Sequence, residues 1–144
     1  MFAPPSNPSP QLQTVLRWFQ AIVQWDFNAL ETLLSDDYLH VTLPASAGDP
    51  NKNKEHGIAH AKSTAALLGG QNMNFELYDA NESEGKIWTH ARLYTKLANG
   101  AVYDNESIFL FTLSAGKEPQ INVIKEFIDT KAVAERAKAV SGDN

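Results

Sequence analysis

The 144-residue sequence contains no cysteine. That excludes disulfides, thiolate nucleophiles and cysteine-based metal sites together. No apolar run approaches the length of a membrane span. No basic cluster stands out, and the net charge is −5, so nucleic acid is not an expected partner. The opening MFAPPSNPSP lacks the basic and apolar segments of a secretory signal. These absences lead to the expectation of a soluble cytoplasmic protein without a membrane partner. Internal repeats are missing too, and the length suits one domain with one core.

What is present is a long hairpin signal. Lys86 to Phe111 reads GKIWTHARLYTKL-ANG-AVYDNESIFLF with the residue before it, two strand-forming runs around Asn99-Gly100. Asn-Gly favours a two-residue turn in which both residues take positive φ. With those two as the turn, Trp88 faces Phe111, His90 faces Phe109, Arg92 faces Ser107 and Tyr94 faces Asn105. Opposed residues share a sheet face. One face then carries Trp88, His90, Arg92, Tyr94, Tyr103, Asn105, Ser107, Phe109 and Phe111, and the other Ile87, Thr89, Ala91, Leu93, Ile108 and Leu110, with Asp104 and Glu106 near the turn. The first mixes aromatic walls with a few polar groups, as small-molecule pockets do. The alternative, an exposed polar face, would leave much aromatic area wet. The aliphatic face, with Ile87, Ala91, Leu93, Ile108 and Leu110, is the expected surface of a homodimer.

Around the hairpin, residues 1–9 read as a flexible arm, 10–130 as a single domain and 131–144 as a helical tail with a frayed tip. Ser9-Pro10 is an N-cap followed by proline at the first helical position, and Leu12, Val15, Leu16, Phe19, Ile22 and Val23 recur at helical spacing. Asp26 caps a short second helix, Phe27 to Leu34, followed by a strand, Tyr38 to Leu43, that Pro44 stops. Ala45 to Asn53 is a loop and Lys54 to Leu68 a third helix, ended by Gly69-Gly70. His56 and His60 could share a helix face, but no third ligand is placed, and no metal site is assigned. Phe75 to Tyr78 and Ile121 to Ile128 complete the strands. Helices segregated to one side of an antiparallel sheet make an α+β fold.

In order and spacing, WDFNALETLLSDDY, the strand ending at Pro44, the helix ending AALLGG, YDNESIFLF and INVIKEFIDT resemble the nuclear transport factor 2-like superfamily, in particular its polyketide-cyclase-like and ketosteroid-isomerase-like branch. The resemblance spans about Pro10 to Thr130. It implies a bent antiparallel sheet wrapped around the N-terminal helices as a cone, an enclosed apolar pocket and pairing through the outer sheet face. It places the aromatic hairpin face, Asn122, Ile124, Glu126 and Ile128 of the last strand, and Trp18 toward that pocket. It also marks departures. The place of the isomerases' aspartate base, before the proline, is Leu43; that of their second acid is Phe109, and that of their helix-1 tyrosine is Trp18.

The candidate ligand-binding residues are therefore Trp18, Trp88, His90, Arg92, Tyr94, Asn105, Ser107, Phe109, Phe111, Ile124 and Glu126. His90, Glu126 and Arg92 are the candidate catalytic groups. His90 has a pKa suited to both acid and base roles, and Arg92 is the expected partner of a buried Glu126. The expected function is to bind or carry a small, largely hydrophobic molecule without a cofactor. The alternative is a cofactor-free lyase or isomerase using acid–base residues of the same pocket.

Overall fold

A computed structural model describes residues 1–141; of the tip expected to fray, 141–144, Ser141 is the last helical residue and 142–144 lie outside the described residues. Helix α1 (Pro10–Gln24) starts where Ser9 Oγ accepts from Leu12 N at 3.0 Å with Pro10 in the first turn. Helix α2 (Phe27–Leu33) starts where Asp26 accepts from Ala29 N at 3.0 Å. Strand β1 (Leu34–Leu43), the two-residue β2 (Lys52–Asn53) and helix α3 (Lys54–Leu67) follow, with Asn53 capping His56 N. Strands β3 (Asn74–Ser83), β4 (Lys86–Lys96), β5 (Val102–Leu113) and β6 (Ile121–Phe127) and helix α4 (Thr130–Ser141) complete the chain. β1 is longer than the expected Tyr38 to Leu43: it starts at Leu34, and Ser35–Asp37 belong to an irregular stretch of the strand. The Pro-rich start has no regular element, but Phe2 N donates to Leu77 O at 2.9 Å and its side chain packs against the core.

The six strands form one curved sheet in the order β2-β1-β6-β5-β4-β3. The α+β architecture is as expected, with one refinement: β1 and β6 run parallel, so the sheet is mixed. That pairing brings the first long strand beside the last, with Thr42 opposite Glu126 and His40 opposite Ile124. The core lies between the sheet and α1. Trp18, Phe19, Phe109 and Phe111 interlock there, mostly edge-to-face, with centroids from 5.1 to 6.2 Å apart. Val15, Ile87, Ala91, Ile121 and Ile124 are fully buried around them.

The hairpin register differs by one residue from the two-residue reading. Gly100 N donates to Leu97 O at 2.9 Å and Leu97 N to Ala101 O at 2.8 Å, so the loop is Ala98-Asn99-Gly100. Gly100 alone is left-handed (φ 86°), and Asn99 Oδ1 instead accepts from Ala101 N at 2.9 Å. This is the three-residue hairpin loop, a turn closed by a left-handed glycine. Trp88 consequently faces Leu110, His90 faces Ile108, Arg92 faces Glu106 and Tyr94 faces Asp104. A one-residue slip exchanges the faces of one strand relative to the other. Ile87, Thr89, Ala91 and Leu93 thus join Asn105, Ser107, Phe109 and Phe111 on the inner side, while Trp88, His90, Arg92 and Tyr94 turn outward.

The energetics explain the choice. Burying Ile87 and Leu93 gains about 1.5–3 kcal/mol each. Turning Arg92 and His90 inward without partners costs several kcal/mol. A turn preference of about 1 kcal/mol cannot outweigh that difference. The aliphatic dimer patch therefore does not exist as expected, because Ile87, Ala91 and Leu93 are core residues at 0%, 0% and 4% exposure. The outer face instead exposes Trp88, Ile108 and Phe127 beside charged groups. Among the described residues, no helix is long and apolar enough to cross a membrane.

Candidate functional site

The inner face of the sheet, α1, α3 and α4 enclose a cavity of about 920 Å³. Its apolar wall comes from Trp18, Leu30, Leu34, Met73, Leu93 and Phe109. Helix α4 adds Val133, Ala134 and Ala137, and α3 presents the stripe Gly57, His60, Ala61 and Thr64 at helical spacing.

The polar floor lies where β1 meets β6. Alternation along β1 turns Tyr38, His40 and Thr42 to one side, and all three line the cavity. Glu126 of β6 points to the same place. Its Oε2 lies 3.1 Å from His40 Nε2, and its Oε1 accepts from Asn105 Nδ2 and Ser107 Oγ, each at 3.2 Å. The other ring nitrogen, His40 Nδ1, lies 3.2 Å from the Tyr38 hydroxyl. Glu126, His40 and Tyr38 thus form an unbroken chain. Gly57 makes room for it: a Cβ there would stand 3.3 Å from Tyr38 Cε1.

Electrostatics give each member a state. Burial alone would raise the pKa of Glu126, but the hydrogen bonds it accepts from His40, Asn105 and Ser107 outweigh it and hold the carboxyl below its ordinary range. Glu126 is therefore the acceptor, and His40 turns its Nε2–H toward it. Nδ1 is then free to accept from Tyr38. Burial, aided by the Glu126 charge, pushes the Tyr38 hydroxyl well above its ordinary range, so it stays protonated and donates.

A second polar group stands beside the first. Asp49 Oδ2 accepts from Thr42 Oγ1 at 2.8 Å and from Lys52 Nζ at 2.9 Å. Burial opposes ionisation of Asp49, but the bonds from Lys52 and Thr42 hold its carboxyl below the usual range. His60 is exposed at the cavity mouth. Desolvation against the wall, reinforced by Lys52, nevertheless keeps its imidazole below the ordinary histidine range.

Of the residues expected at the site, Trp18, Asn105, Phe109 and Glu126 line the cavity. Ser107 reaches it through Glu126, and Phe111 and Ile124 lie fully buried behind it. Trp88, His90, Arg92 and Tyr94 do not, because the register turns them outward. His90 pairs with Glu106 at 2.7 Å. Arg92 makes a two-pronged contact with Asp104, at 2.9 and 2.7 Å, and stacks over Tyr94. The expected Arg92–Glu126 pair is therefore replaced by His40–Glu126. Tyr38, His40, Asp49, Lys52, His60 and Tyr103 were not singled out as site residues. The i, i+2 spacing of Tyr38, His40 and Thr42 was the available signal; the parallel β1–β6 pairing that gives it meaning was not. Among the described residues, no group of three or more His, Cys, Asp or Glu is placed to hold a metal.

No protein-family profile and no curated protein sequence matches the chain. Solved structures do. The BvnE pinacolase from Penicillium brevicompactum shares 20% identity, with 92% of this chain and 95% of that one covered, at a TM-score of 0.75. A protein named for SnoaL-like polyketide cyclases, from Jannaschia sp. CCS1, shares 19% identity over 96% and 98% of the two chains at 0.68. A protein with a ketosteroid isomerase-like fold from Catenulispora acidiphila, in complex with trimethylamine, shares 16% identity over 93% of each chain at 0.68.

The fold is nuclear transport factor 2-like.

Leu43, Phe109 and Trp18, which the sequence resemblance set at the places of the isomerase acids and tyrosine, are all without a carboxylate or hydroxyl. Trp18 and Phe109 pack on each other, with centroids 5.6 Å apart. The polar groups of this cavity instead enter from Tyr38 and His40 on β1 and from Glu126 on β6.

Proposed function

We propose that the protein is a cofactor-free isomerase or lyase that moves a proton on a small, largely apolar molecule held in the cavity. The observation that carries this reading is the chain Tyr38–His40–Glu126 in an otherwise mainly apolar enclosure. The expectation of a simple carrier rested on aromatic walls and a missing acid–base set; the Tyr38–His40–Glu126 chain supports reading the cavity as having such a set.

A proton leaving the ligand passes to the Tyr38 oxygen as the hydroxyl proton passes to His40 Nδ1. The transfer is concerted, because the buried hydroxyl resists ionisation. Glu126 stabilises the resulting imidazolium and fixes the ring's tautomer. Return of the proton at another ligand atom completes an isomerisation; loss of a leaving group completes an elimination.

One observation favours the carrier reading instead: among the described residues, no buried side-chain nitrogen or oxygen lacks a hydrogen-bond partner. The test is to extract the molecule that copurifies with the protein and incubate it with fresh protein in D2O. Deuterium incorporation or rearrangement by wild type, lost in Tyr38→Phe, supports the enzyme. An unlabelled, unchanged molecule returned from wild type establishes the carrier.

A further inference from the structure

We infer that Lys52 and His60 form an oxygen-binding subsite that selects ligands bearing a neutral carbonyl group. The inference rests on the reading of the cavity as a ligand site, and goes beyond it by naming the group recognised and the residues that recognise it.

The cavity wall carries unused donors. The Lys52 ammonium has three N–H groups. One meets Asp49 at 2.9 Å and a second makes a long contact with Pro50 O at 3.5 Å, which leaves a third. The Lys52 side chain is only 15% exposed, so this donor is poorly served by water. Among the described residues the His60 ring has no hydrogen-bond or ion-pair partner, and it lines the same cavity, near enough to Lys52 to feel its charge. This contrasts with the floor, where both nitrogens of His40 and both oxygens of Glu126 have partners. The wall therefore offers hydrogen-bond donors that the protein itself leaves available, next to the groups that handle protons.

Charge decides which oxygen they take. Lys52 is already neutralised by Asp49, and Glu126 lies near enough to act electrostatically on His60. A carboxylate would meet two fixed negative charges with one cation between them. A carbonyl oxygen needs only the donors, and the apolar wall of Trp18, Met73, Leu93 and Phe109 takes the rest of the molecule. In the proton transfer, the C–H bond next to the carbonyl breaks, its proton goes to Tyr38 as the Tyr38 proton goes to His40, and the electron pair moves to the carbonyl oxygen. Lys52 and His60 then face the growing negative charge.

Three probes of nearly one shape test this: 2-ethylnaphthalene, 2-acetylnaphthalene and 2-naphthoate. Calorimetry reads their affinities, and quenching of Trp18 and Trp25, both on the cavity wall, reads their location. The expected result is that the ketone binds wild type about tenfold more tightly than the hydrocarbon, or about 1.4 kcal/mol, and that the carboxylate binds most weakly. Lys52→Met and His60→Leu, each checked by circular dichroism, should reduce the ketone's advantage and leave the hydrocarbon's affinity unchanged. Equal affinity of ketone and hydrocarbon for wild type, or tightest binding by the carboxylate, overturns the subsite while leaving the cavity as a ligand site. Failure of 2-ethylnaphthalene itself to bind overturns both. Because wild type alone decides these outcomes, misfolding of a variant does not blunt the test.

Discussion

Glu126→Gln probes the floor of the cavity with the smallest change in shape. The amide carbonyl can take the place of Oε1 and keep the bonds from Asn105 and Ser107, both at 3.2 Å. The amide NH2 then faces His40 Nε2 at the 3.1 Å now spanned to Oε2. Two donors would meet there, so the His40 proton must move to Nδ1, and Tyr38 must accept where it donated. Every contact survives in neutral form, but charge-assisted bonds are about twice as strong as neutral ones. Three weakened bonds, partly offset by no longer burying a charge, give a net loss of about 1–3 kcal/mol. For a chain of this length, that lowers the melting temperature by roughly 3–12 °C. The acid profile changes as well. The folded pKa of Glu126 lies below its unfolded value. Its stabilisation is therefore complete above the ordinary carboxylate range and is lost as pH falls through the depressed folded value. Thermal melts by near-ultraviolet circular dichroism from neutral to acid pH should show the gap between wild type and Glu126→Gln closing as the solution is acidified. Any turnover in the deuterium assay should fall about 10²–10⁴-fold. A variant that melts with wild type at neutral pH and keeps its turnover would refute the hydrogen bond from His40 to an ionised Glu126 and the relay built on it.

Gly57→Ala sets a helix-propensity gain of about 1 kcal/mol against a Cβ placed 3.3 Å from Tyr38 Cε1; ligand affinity and turnover should fall even where the melting temperature rises, and unchanged ligand binding would show that Tyr38 yields freely. Arg92→Leu should leave ligand affinity unaltered and the melting temperature nearly so, because its contacts with Asp104 and Glu76 lie on the outer face; a large loss in either measurement would return Arg92 to the site. Deletion of Ala98 leaves Asn99-Gly100 as a two-residue loop between the paired Leu97 and Ala101. The strand register is then unchanged, and a melting temperature within a few degrees of wild type is expected; collapse of the fold would show that the register depends on loop length.

How much of this was legible in the sequence follows from the range of each signal. The caps at Ser9 and Asp26, the helical stripe of α1 and the Asn-Gly hairpin are local, and each led to a correct element. The hairpin also shows where local reading fails. Asn-Gly fits a two-residue or a three-residue loop, and the two differ by one residue of register. β4 carried the deciding information in its own composition: Ile87, Ala91 and Leu93 alternate with His90 and Arg92, and a core selects the first set. Weighing that alternation above the turn type would have placed Trp88, His90, Arg92 and Tyr94 outside.

The partner of Glu126 lay beyond any such weighing. Burial of that carboxylate demanded a cation or strong donors, and the demand was read correctly. Its answer sits on β1, 86 residues earlier, across a parallel pairing that no turn announces. Antiparallel neighbours are joined by short connections whose sequence advertises them. β1 and β6 are neighbours in the sheet although α3 and the whole β3–β5 meander lie between them in the chain. The same geometry explains why the polar floor sits there. At that junction His40 and Thr42 of one strand and Glu126 of the other point into one enclosure while the Asn105 and Ser107 side chains of β5 close it from the far side. A carboxylate inside an apolar cavity needs donors from more than one direction, and this is the place in the sheet where three adjacent strands supply them.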